Sequence, residues 1–224
     1  GLVSGPPVGT RPEGFAGRLE CAFLNGNQAR LQYAGDSLGV GFAQGKTLFW
    51  QRSFLDRAGG LAALGDELAE DAAATKLVRA RGRHVRLTPR PFTQPIGRRR
   101  LRDVWDRQLR WSRLRRSGFP AIYAFEILNG PLAPMLALAI GATLLGLAPG
   151  AIGLVLAGFA LLWYGTEALV LRRAGLPATP ADLAALPARD LLLPLLWLAS
   201  FASGGIAWRG ALVTPPARGE TSIP

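Results

Sequence analysis

The chain of 224 residues carries a net charge of +11 and is 49% hydrophobic, but these two properties lie in different halves. Most of the charge falls in the first half and the longest apolar runs in the second, which indicates a polar domain followed by a membrane region. A single cysteine excludes an internal disulfide framework and suits a reducing, cytoplasm-facing domain. One cysteine with one histidine also excludes a zinc site built from the usual ligands.

The opening segment, GLVSGPPVGTRPEGF, is rich in glycine and proline and predicts a loop. It has neither the charged start and apolar run of a signal peptide nor a small-residue cleavage site. We expect the chain to enter a domain partway, as the later part of a longer protein.

The rest of the polar half alternates between strand and helix patterns. Glycine-spaced alternation in SLGVGFAQGKTLFWQ predicts short strands joined by turns. The segment from Asp66 to Arg81 predicts a helix, with acidic residues in its first turns, basic residues in its last and Gly82 as its stop. HVRLTP then predicts a short strand ended by proline, so we expect residues 1–97 to form a mixed α/β domain.

A strongly basic segment follows, at residues 98–120. At 100° per residue, one arc of a helix beginning here is apolar and contains Leu101, Val104, Trp105 and Leu109. We expect an amphipathic helix in the membrane interface, with long arginines reaching toward water or anionic headgroups. Nucleic-acid binding fits the charge but not the apolar runs that come next.

Three apolar stretches occupy the second half. Leu132 to Ala148 and Ala151 to Leu171 are each about long enough to cross a hydrocarbon core of roughly 30 Å, with room only for a tight turn between them. They predict a transmembrane helical hairpin within residues 128–171. The third stretch, residues 191–208, is interrupted by a proline and paired glycines, so it either spans the membrane or dips into it.

Charge sets the expected orientation of the hairpin. The arginines of residues 98–116 precede the first span and Arg172-Arg173 follow the second, so both ends lie on one side, which the positive-inside rule makes cytoplasmic. We expect a cytoplasmic loop at residues 172–190 and a tail at residues 209–224. Glu167, late in the second span, is expected near the cytoplasmic interface because a carboxylate in mid-bilayer is costly.

Four stretches, in order along the chain, resemble one enzyme family. They are GFAGRLECAF near the start, GKTLFWQRSFLDRAGGL from Gly45, LAEDAAATKLVRARG from Leu68, and RQLRW from Arg107 to Trp111. The last matches the pattern (Q/R)xxRW of processive and lipid-directed inverting glycosyltransferases. Arginine in its first place resembles the ceramide glucosyltransferase type, in glycosyltransferase family 21 and the related family 2. The resemblance implies a fold in which the C-terminal part of a GT-A glycosyltransferase domain precedes the interfacial and transmembrane helices.

The resemblance also implies a catalytic base. It gives this role to Asp71, with Glu70 beside it, because a lipid hydroxyl must lose its proton as it attacks the anomeric carbon of the sugar. A carboxylate in the first turn of a helix is moreover expected to be held ionised by the helix dipole and by nearby N–H groups. An ordinary acidic first turn is the alternative reading of the same residues.

Four further residues are implied as substrate-binding. Arg107, Arg110 and Trp111 are implied at the diphosphate of the nucleotide sugar or at the acceptor pocket, and guanidinium forks suit phosphate oxygens. Gly45 is implied on the acceptor side of the cleft, where glycine permits close backbone approach. The neighbouring arginines, among them Arg115, are interpreted as membrane-surface charge.

The resemblance also implies ligands whose binding residues are absent from this sequence. Relatives bind a UDP-sugar and a divalent metal, Mg²⁺ or Mn²⁺, through acidic residues that include a DxD motif, and this sequence contains no DxD. We therefore expect the metal ligands to lie outside this chain, which alone should be inactive.

The expected reaction transfers glucose from UDP-glucose to the hydroxyl of a ceramide-type lipid with inversion. A hopanoid or diacylglycerol acceptor, or a catalytically silent membrane anchor, are the alternatives. Few lysines beside many arginines, with abundant alanine and glycine, suit a GC-rich bacterial genome. The expected location is therefore the bacterial inner membrane, with the catalytic part facing the cytoplasm.

Overall fold

The computed structural model describes residues 1–65, 67, 69–202, 206–208 and 211–213. In chain order the strands are β1 (Leu2–Ser4), β2 (Val8–Glu13), β3 (Leu48–Trp50), β4 (Val85–Leu87), β5 (Thr93–Arg98), β6 (Ile206–Trp208) and β7 (Ala211–Val213). The α-helices are α1 (Gly14–Cys21), α2 (Arg30–Ser37), α3 (Arg52–Arg57), α4 (Glu70–Ala80), α5 (Leu101–Gly118), α6 (Pro120–Ala124), α7 (Leu132–Leu144), α8 (Pro149–Arg173), α9 (Pro180–Leu183) and α10 (Ala185–Ala199). A π-helical segment covers Ala22–Ala29, and short 3₁₀-helices cover Leu61–Leu64 and Phe125–Leu128.

A small sheet packed against α4 forms the core of the N-terminal part. β1 pairs antiparallel with β3 and parallel with β4, so the strand order is β3-β1-β4. Ala74 and Val78, four residues apart on α4, are buried in one cluster with Leu2 and Val85 of the sheet. Burying a side chain of the size of Leu2 stabilises the fold by about 1.5–3 kcal/mol, and this cluster holds the start of α4 in place.

The opening segment is not the predicted loop. It forms β1 and β2, and β2 pairs in parallel with β5. A Cβ at Gly9 would lie 2.8 Å from the sulfur of Cys21 and 2.9 Å from Ile96, so glycine here allows close packing. The prediction was wrong because glycine was interpreted as a sign of irregular backbone.

The other predictions for the polar half hold in part. Only Leu48–Trp50 of the predicted strand region is a strand, and α4 begins at Glu70, whereas Asp66 lies outside the described residues. Gly82 has a φ of 65°, which suits a glycine that ends a helix, and β4 forms where a strand was predicted. The mixed α/β class is confirmed, with more helix than strand.

The predicted basic helix is α5. Its residue Val104 is buried in a cluster with Ala16 and Leu19 of α1 and Leu196 of α10, while Leu101 remains 58% exposed. Thus only part of the apolar arc is free to meet lipid.

The interpretation of the arginines as surface charge also needs correction. Arg115 forms a two-pronged ion pair with Glu126 at 2.8–3.0 Å, and Arg116 lies 5.0 Å from the ring centroid of Phe201. These two side chains fasten α5 to the segments that follow it.

One helix in the described residues is by itself long and apolar enough to cross a membrane. This is α8, with 25 residues and a mean hydropathy of 1.8 over a window that is only 17% buried, unlike a core helix. The first predicted span is shorter than expected, because α7 ends at Leu144. The helical segment Pro120–Leu128 precedes α7 at a bend of 52°, and the pair is apolar enough to count together as one broken span or re-entrant loop.

The third apolar stretch does not form a helix through Trp208. α10 ends at Ala199 after 15 residues, and residues 206–208 form β6, which pairs with β7. The predicted loop at residues 172–190 instead contains α9 and the start of α10, where Ala185, Leu186 and Arg189 are buried. The predicted bounds of the third helix and of the loop were wrong because one face of α10 packs against α1 and α5, and a helix that dips into the membrane stays a prediction.

Candidate active site

The N-terminus of α4 presents Asp71 to a loop. α4 begins at Glu70 after the extended residue Ala69, so Asp71 lies in the first turn. One carboxylate oxygen of Asp71 accepts a hydrogen bond from the N–H of Gly45 at 3.0 Å, and the other accepts one from the N–H of Ala72 at 2.8 Å. The carboxylate is therefore fixed between a helix and a loop.

Gly45 approaches both acidic side chains closely. A Cβ at this position would clash with Oε1 of Glu70 and would lie 3.6 Å from Oδ2 of Asp71. A side chain at residue 45 would require the carboxylate of Glu70 to move, so glycine permits this close approach of the loop. The structure thus brings together three of the residues that the sequence singled out.

The pKa of Asp71 moves in the direction opposite to the expected one. Burial raises the pKa above its usual value, the hydrogen bond from Gly45 opposes this effect, and the nearby charge of Glu70 adds to it. The expected N–H donors are present, but they lower the pKa of Asp71 by less than burial raises it. A raised pKa makes the carboxylate a better proton acceptor.

Lys46 extends the site from Asp71 toward α5. Its Nζ donates a hydrogen bond to Oε1 of Gln94, on β5, at 2.7 Å. Burial lowers the pKa of Lys46, the positive charges of Arg107 and Arg99 lower it further, and the charge of Glu20 opposes them. The loop of Gly45 and Lys46 thus joins the acidic residues of α4 to a cluster of basic side chains.

Arg107 is held in this cluster by a buried acid. Its Nη1 donates to Oε1 of Glu20 at 2.6 Å, and the side chain of Glu20 is 1% exposed whereas that of Arg107 is 27% exposed. Burial raises the pKa of Glu20, while the charge and hydrogen bond of Arg107 oppose the rise. One prong of the guanidinium is fixed by α1, and the side chain keeps some access to solvent.

Three buried polar atoms in the same cluster have no hydrogen-bond partner within the described part of the chain. They are Oε2 of Glu20, Nε2 of Gln94 and Nε of Arg99. A buried polar atom without a partner costs about 1–3 kcal/mol, so such atoms rarely gather without water or a ligand to satisfy them. The cluster therefore has free capacity to bind a polar, charged group.

Two other predicted residues lie further along α5. Arg110 is half-buried, one turn beyond Arg107. Trp111 packs against the buried cluster of Cys21, Leu24 and Ile96, so its ring contributes to the core that supports α5.

Sequence reasoning missed four residues of this cluster. Lys46 carried a signal, because it directly follows Gly45 and is one of two lysines in a chain that otherwise uses arginine. Glu20 is the acid of the GFAGRLECAF segment, but its partner Arg107 lies 87 residues away. Gln94 and Arg99 carried no distinguishing signal, and only the pairing of β2 with β5 brings them to the site.

Metal ligands do not gather within this site. Among the described residues, no three side chains of His, Cys, Asp or Glu form a group that could hold a metal ion. Glu70 and Asp71 supply two carboxylates, which is too few for a site of protein ligands alone, because Mg²⁺ held by one or two carboxylates takes further ligands from substrate phosphates and water.

Comparison with known proteins gives two results. The sequence model described as glycosyl transferase family 21 matches residues 1–215. Ceramide glucosyltransferase 1 of Caenorhabditis elegans is 30% identical over 134 residues, which are 60% of this chain and 29% of the relative. The chain thus spans less than a third of the length of that curated relative. No solved structure matches the chain with statistical significance.

The family match covers almost the whole chain, including Asp71, the cluster around Lys46, and helices α5 and α8. It therefore confirms the resemblance identified from GKTLFWQR, LAED and RQLRW. The chain belongs to glycosyl transferase family 21.

Proposed function

We propose that this chain is the acceptor-side and membrane part of an enzyme that transfers glucose from UDP-glucose to the hydroxyl of a ceramide-type lipid, with inversion. The observation that carries the proposal is the position of Asp71. This half-buried carboxylate accepts a hydrogen bond from the N–H of Gly45, the residue before Lys46 of the basic cluster with unsatisfied polar atoms. A base beside a phosphate-binding cluster is the arrangement that glycosyl transfer from a nucleotide sugar requires.

The proposed reaction is a single displacement. Asp71 accepts the proton of the lipid hydroxyl as the hydroxyl oxygen attacks the anomeric carbon of glucose. The bond between this carbon and the diphosphate oxygen breaks on the opposite face, so the configuration inverts and UDP leaves with the electron pair. The raised pKa of Asp71 favours its part in this step.

The basic cluster balances the negative charge of the leaving group. The positive charges of Arg107 and Arg99 lower the pKa of Lys46, and Glu20 fixes the orientation of Arg107. Arg110 lies one turn away on the same helix. We assign the diphosphate to this cluster, because guanidinium and ammonium groups stabilise developing negative charge most strongly where water is excluded.

A divalent metal, Mg²⁺ or Mn²⁺, is part of the proposal for the full-length enzyme. It would stabilise the charge of the diphosphate. The described residues do not fit a metal site of their own, and no step above involves one.

The proposed location is the bacterial inner membrane, with the site facing the cytoplasm. α8 supports a membrane position because it is long, apolar and mostly exposed. The basic residues of α5 precede the hairpin and Arg172-Arg173 follow it, so both groups lie on the same side of the membrane, which supports the orientation. Cysteines placed at Arg116 and Arg173 should both be labelled from the cytoplasm, and labelling from opposite sides would contradict the hairpin.

The test of the proposal is the substitution Asp71→Asn in the full-length protein, purified in lipid. Asparagine keeps the shape of the side chain but cannot take the proton, so kcat should fall by roughly 10²–10⁴ while the KM for UDP-glucose changes little. The matched control is Glu67→Gln, at an acid that pairs with Lys76 outside the site, and it should retain activity. Near-normal turnover by Asp71→Asn at saturating donor would overturn the catalytic assignment.

A panel of acceptors decides the lipid. Ceramide, a hopanoid and diacylglycerol are offered separately with UDP-glucose, and the product is identified by mass spectrometry. Transfer to ceramide supports the proposal, and transfer to another lipid alone replaces the acceptor. Transfer to none, in an intact protein, would leave a membrane anchor as the function.

A further inference from the structure

We propose that a groove between α1, α5 and α10 holds a hydrocarbon chain of the acceptor lipid during transfer. This inference rests on the proposed function, since it concerns the acceptor of the same reaction. The groove has a volume of about 310 Å³, at the small end of the range for small-molecule sites. Its walls are formed mainly by Leu19, Phe23, Val104, Trp105, Leu192 and Leu196.

The chemistry of the walls suits an alkyl chain. The main polar side chains of the lining are Arg102 and Gln108. Oε1 of Gln108 accepts a hydrogen bond from Gln28 at 3.0 Å, and its Nε2 is a buried donor without a partner among the described residues. Arg102 is 88% exposed and pairs with Asp106, so its charge lies toward water rather than inside the groove. A polar ligand would find few partners here, whereas methylene groups would be removed from water.

The groove is continuous with a surface that fits the membrane. The flank of α10 next to its wall residues exposes Leu191, Leu195 and Leu198 by 52–60%, at the spacing of one helical face. Leu101, at the start of α5, is 58% exposed and also lines the groove. An apolar cavity that is lined by the exposed Leu101 and adjoins a flank of exposed leucines on α10 is accessible to lipid chains directly from the membrane.

The groove also adjoins the candidate active site. Leu19 precedes Glu20, and Gln108 follows Arg107, so the helices that line the groove also carry the Glu20–Arg107 pair. The two features therefore lie within about one helix diameter, roughly 10 Å, of each other. This proximity is our reason for assigning the groove to the acceptor rather than to a bulk lipid.

The first experiment fills the groove in the full-length enzyme. Leu192→Trp places a larger side chain at a half-buried wall position, and Leu195→Trp makes the same change on the exposed flank of α10 as a matched control. With ceramide of a long acyl chain, Leu192→Trp should raise the acceptor KM by about tenfold, because several methylene groups lose their burial. With a truncated, water-soluble ceramide, its KM should stay within about twofold of wild type, as should both KM values of Leu195→Trp.

The outcomes separate the two proposals. If wild type transfers glucose to neither ceramide, the proposed function fails. If wild type is active but Leu192→Trp loses no preference for the long chain while folding normally by thermal unfolding, the groove assignment is overturned.

A second measurement covers the case in which Leu192→Trp fails to fold. A ceramide with a diazirine in its acyl chain is photolysed with the wild-type protein in vesicles of phosphatidylcholine, and labelled peptides are identified by mass spectrometry. Labels within residues 101–108 and 192–196, competed by unlabelled ceramide, support the proposal. Labels confined to the exposed flank of α10, or no competition by ceramide, indicate a bulk lipid or a protein segment in the groove and overturn it.

Discussion

Two clusters of buried charge contact the helical run that begins at Gly14, and they differ in how far their hydrogen bonds are satisfied. In the first, the candidate active site, Glu20 binds Arg107 through only one of its carboxylate oxygens. Its other oxygen, together with Nε2 of Gln94, has no partner among the described residues. The hydrogen bonds of this cluster are therefore only partly satisfied within the described residues.

The second cluster joins α8 and α10. Arg189 is fully buried and donates to both oxygens of Glu167 and to both of Asp190, and its Nη1 also donates to the carbonyl of Ala22 at 3.4 Å. None of these three charged side chains has an unsatisfied buried atom among those the structure describes. Glu167 was expected near the membrane interface, and the structure gives it a buried counter-ion within the protein.

The difference between the clusters separates function from stability. Buried charge is tolerated when every donor and acceptor is paired, and such a network fixes the elements that it joins. The Arg189 cluster therefore fastens α8 and α10 to each other and to the π-helical segment that begins at Ala22. The cluster around Lys46 contains polar atoms without partners among the described residues. Substitutions in this cluster should therefore change substrate binding more than the stability of the fold.

Arg189→Met should produce the largest change in stability. It leaves Asp190 buried without a counter-ion and Glu167 with only Arg30, whose Nη1 is 3.8 Å away, so the free energy of unfolding should fall by about 3–5 kcal/mol. Denaturant unfolding in detergent micelles measures this value. Arg172→Met, at the exposed end of α8, is the control and should stay within about 0.5 kcal/mol of wild type. Equal stability of both variants would remove the distinction between the two clusters.

The sequence predicted the first cluster better than the second. RQLRW and LAED could be recognised because their residues lie within short segments whose order resembles a family. The structure joins Asp71 to Gly45 by a hydrogen bond. Arg189 and Glu167 lie 22 residues apart in segments that were read as a loop and a span. A pairing of this kind depends on tertiary packing, which neither periodicity nor composition encodes.

The helices and strands also differ in how well the sequence predicted them. α5 and α8 were predicted with nearly correct bounds because their patterns are long and strongly periodic or apolar. β1 and β2 were missed because their stability comes from β3, β4 and β5, which are distant in the chain. The length of α10 was overestimated because hydrophobicity alone did not distinguish a face packed on protein from one exposed to lipid.

Gly26→Ala tests whether the second cluster tolerates any added volume. A Cβ at residue 26 would collide with Oε1 of Glu167 and with Nη1 of Arg189. We expect the free energy of unfolding to fall by about 1–3 kcal/mol, as in overpacked cores. At Gly35 of α2 the nearest atom to an added Cβ is 3.5 Å away, so Gly35→Ala should be neutral or stabilise by up to about 1 kcal/mol. A Gly26→Ala protein as stable as Gly35→Ala would contradict the close packing of the cluster.

Lys46→Met tests the first cluster with a change that should not lower stability. Loss of one charged hydrogen-bond donor should raise the KM for UDP-glucose by about tenfold, while the melting temperature stays within a few degrees of wild type. Lys76→Met, at the other lysine of the chain, removes an ion pair with Glu67 outside the site and should leave both quantities unchanged. If the two lysine variants have the same KM, Lys46 does not contact the donor.

Two acidic residues in first helical turns provide the smallest and most specific test. Burial raises the pKa of Asp71, on α4, above its ordinary 3.8, whereas the hydrogen bonds of Arg100 lower the pKa of Asp103, on α5. For Asp71, the folded state binds the proton more tightly than the unfolded state. Ionising Asp71 in the folded protein therefore costs stability, and this cost grows as the pH rises from 3.8 through the raised pKa. For Asp103 the sign is reversed, and its contribution is present above 3.8 and lost as the pH falls through the lowered pKa.

The two asparagine variants should therefore respond to pH in opposite directions. Relative to wild type, Asp71→Asn should gain unfolding free energy as the pH rises from about 3.8 toward neutrality. Asp103→Asn should lose it as the pH rises toward 3.8 from below, less strongly in high salt. Denaturant unfolding at a series of pH values measures both trends. The acid limb of kcat/KM in the wild-type enzyme should also have its midpoint above 3.8, because Asp71 must be ionised to accept the proton. A loss of stability in Asp71→Asn at neutral pH would mean that the carboxylate stabilises the fold, as Asp103 does. The difference between the candidate active site and the fully hydrogen-bonded Arg189 cluster would then not include Asp71.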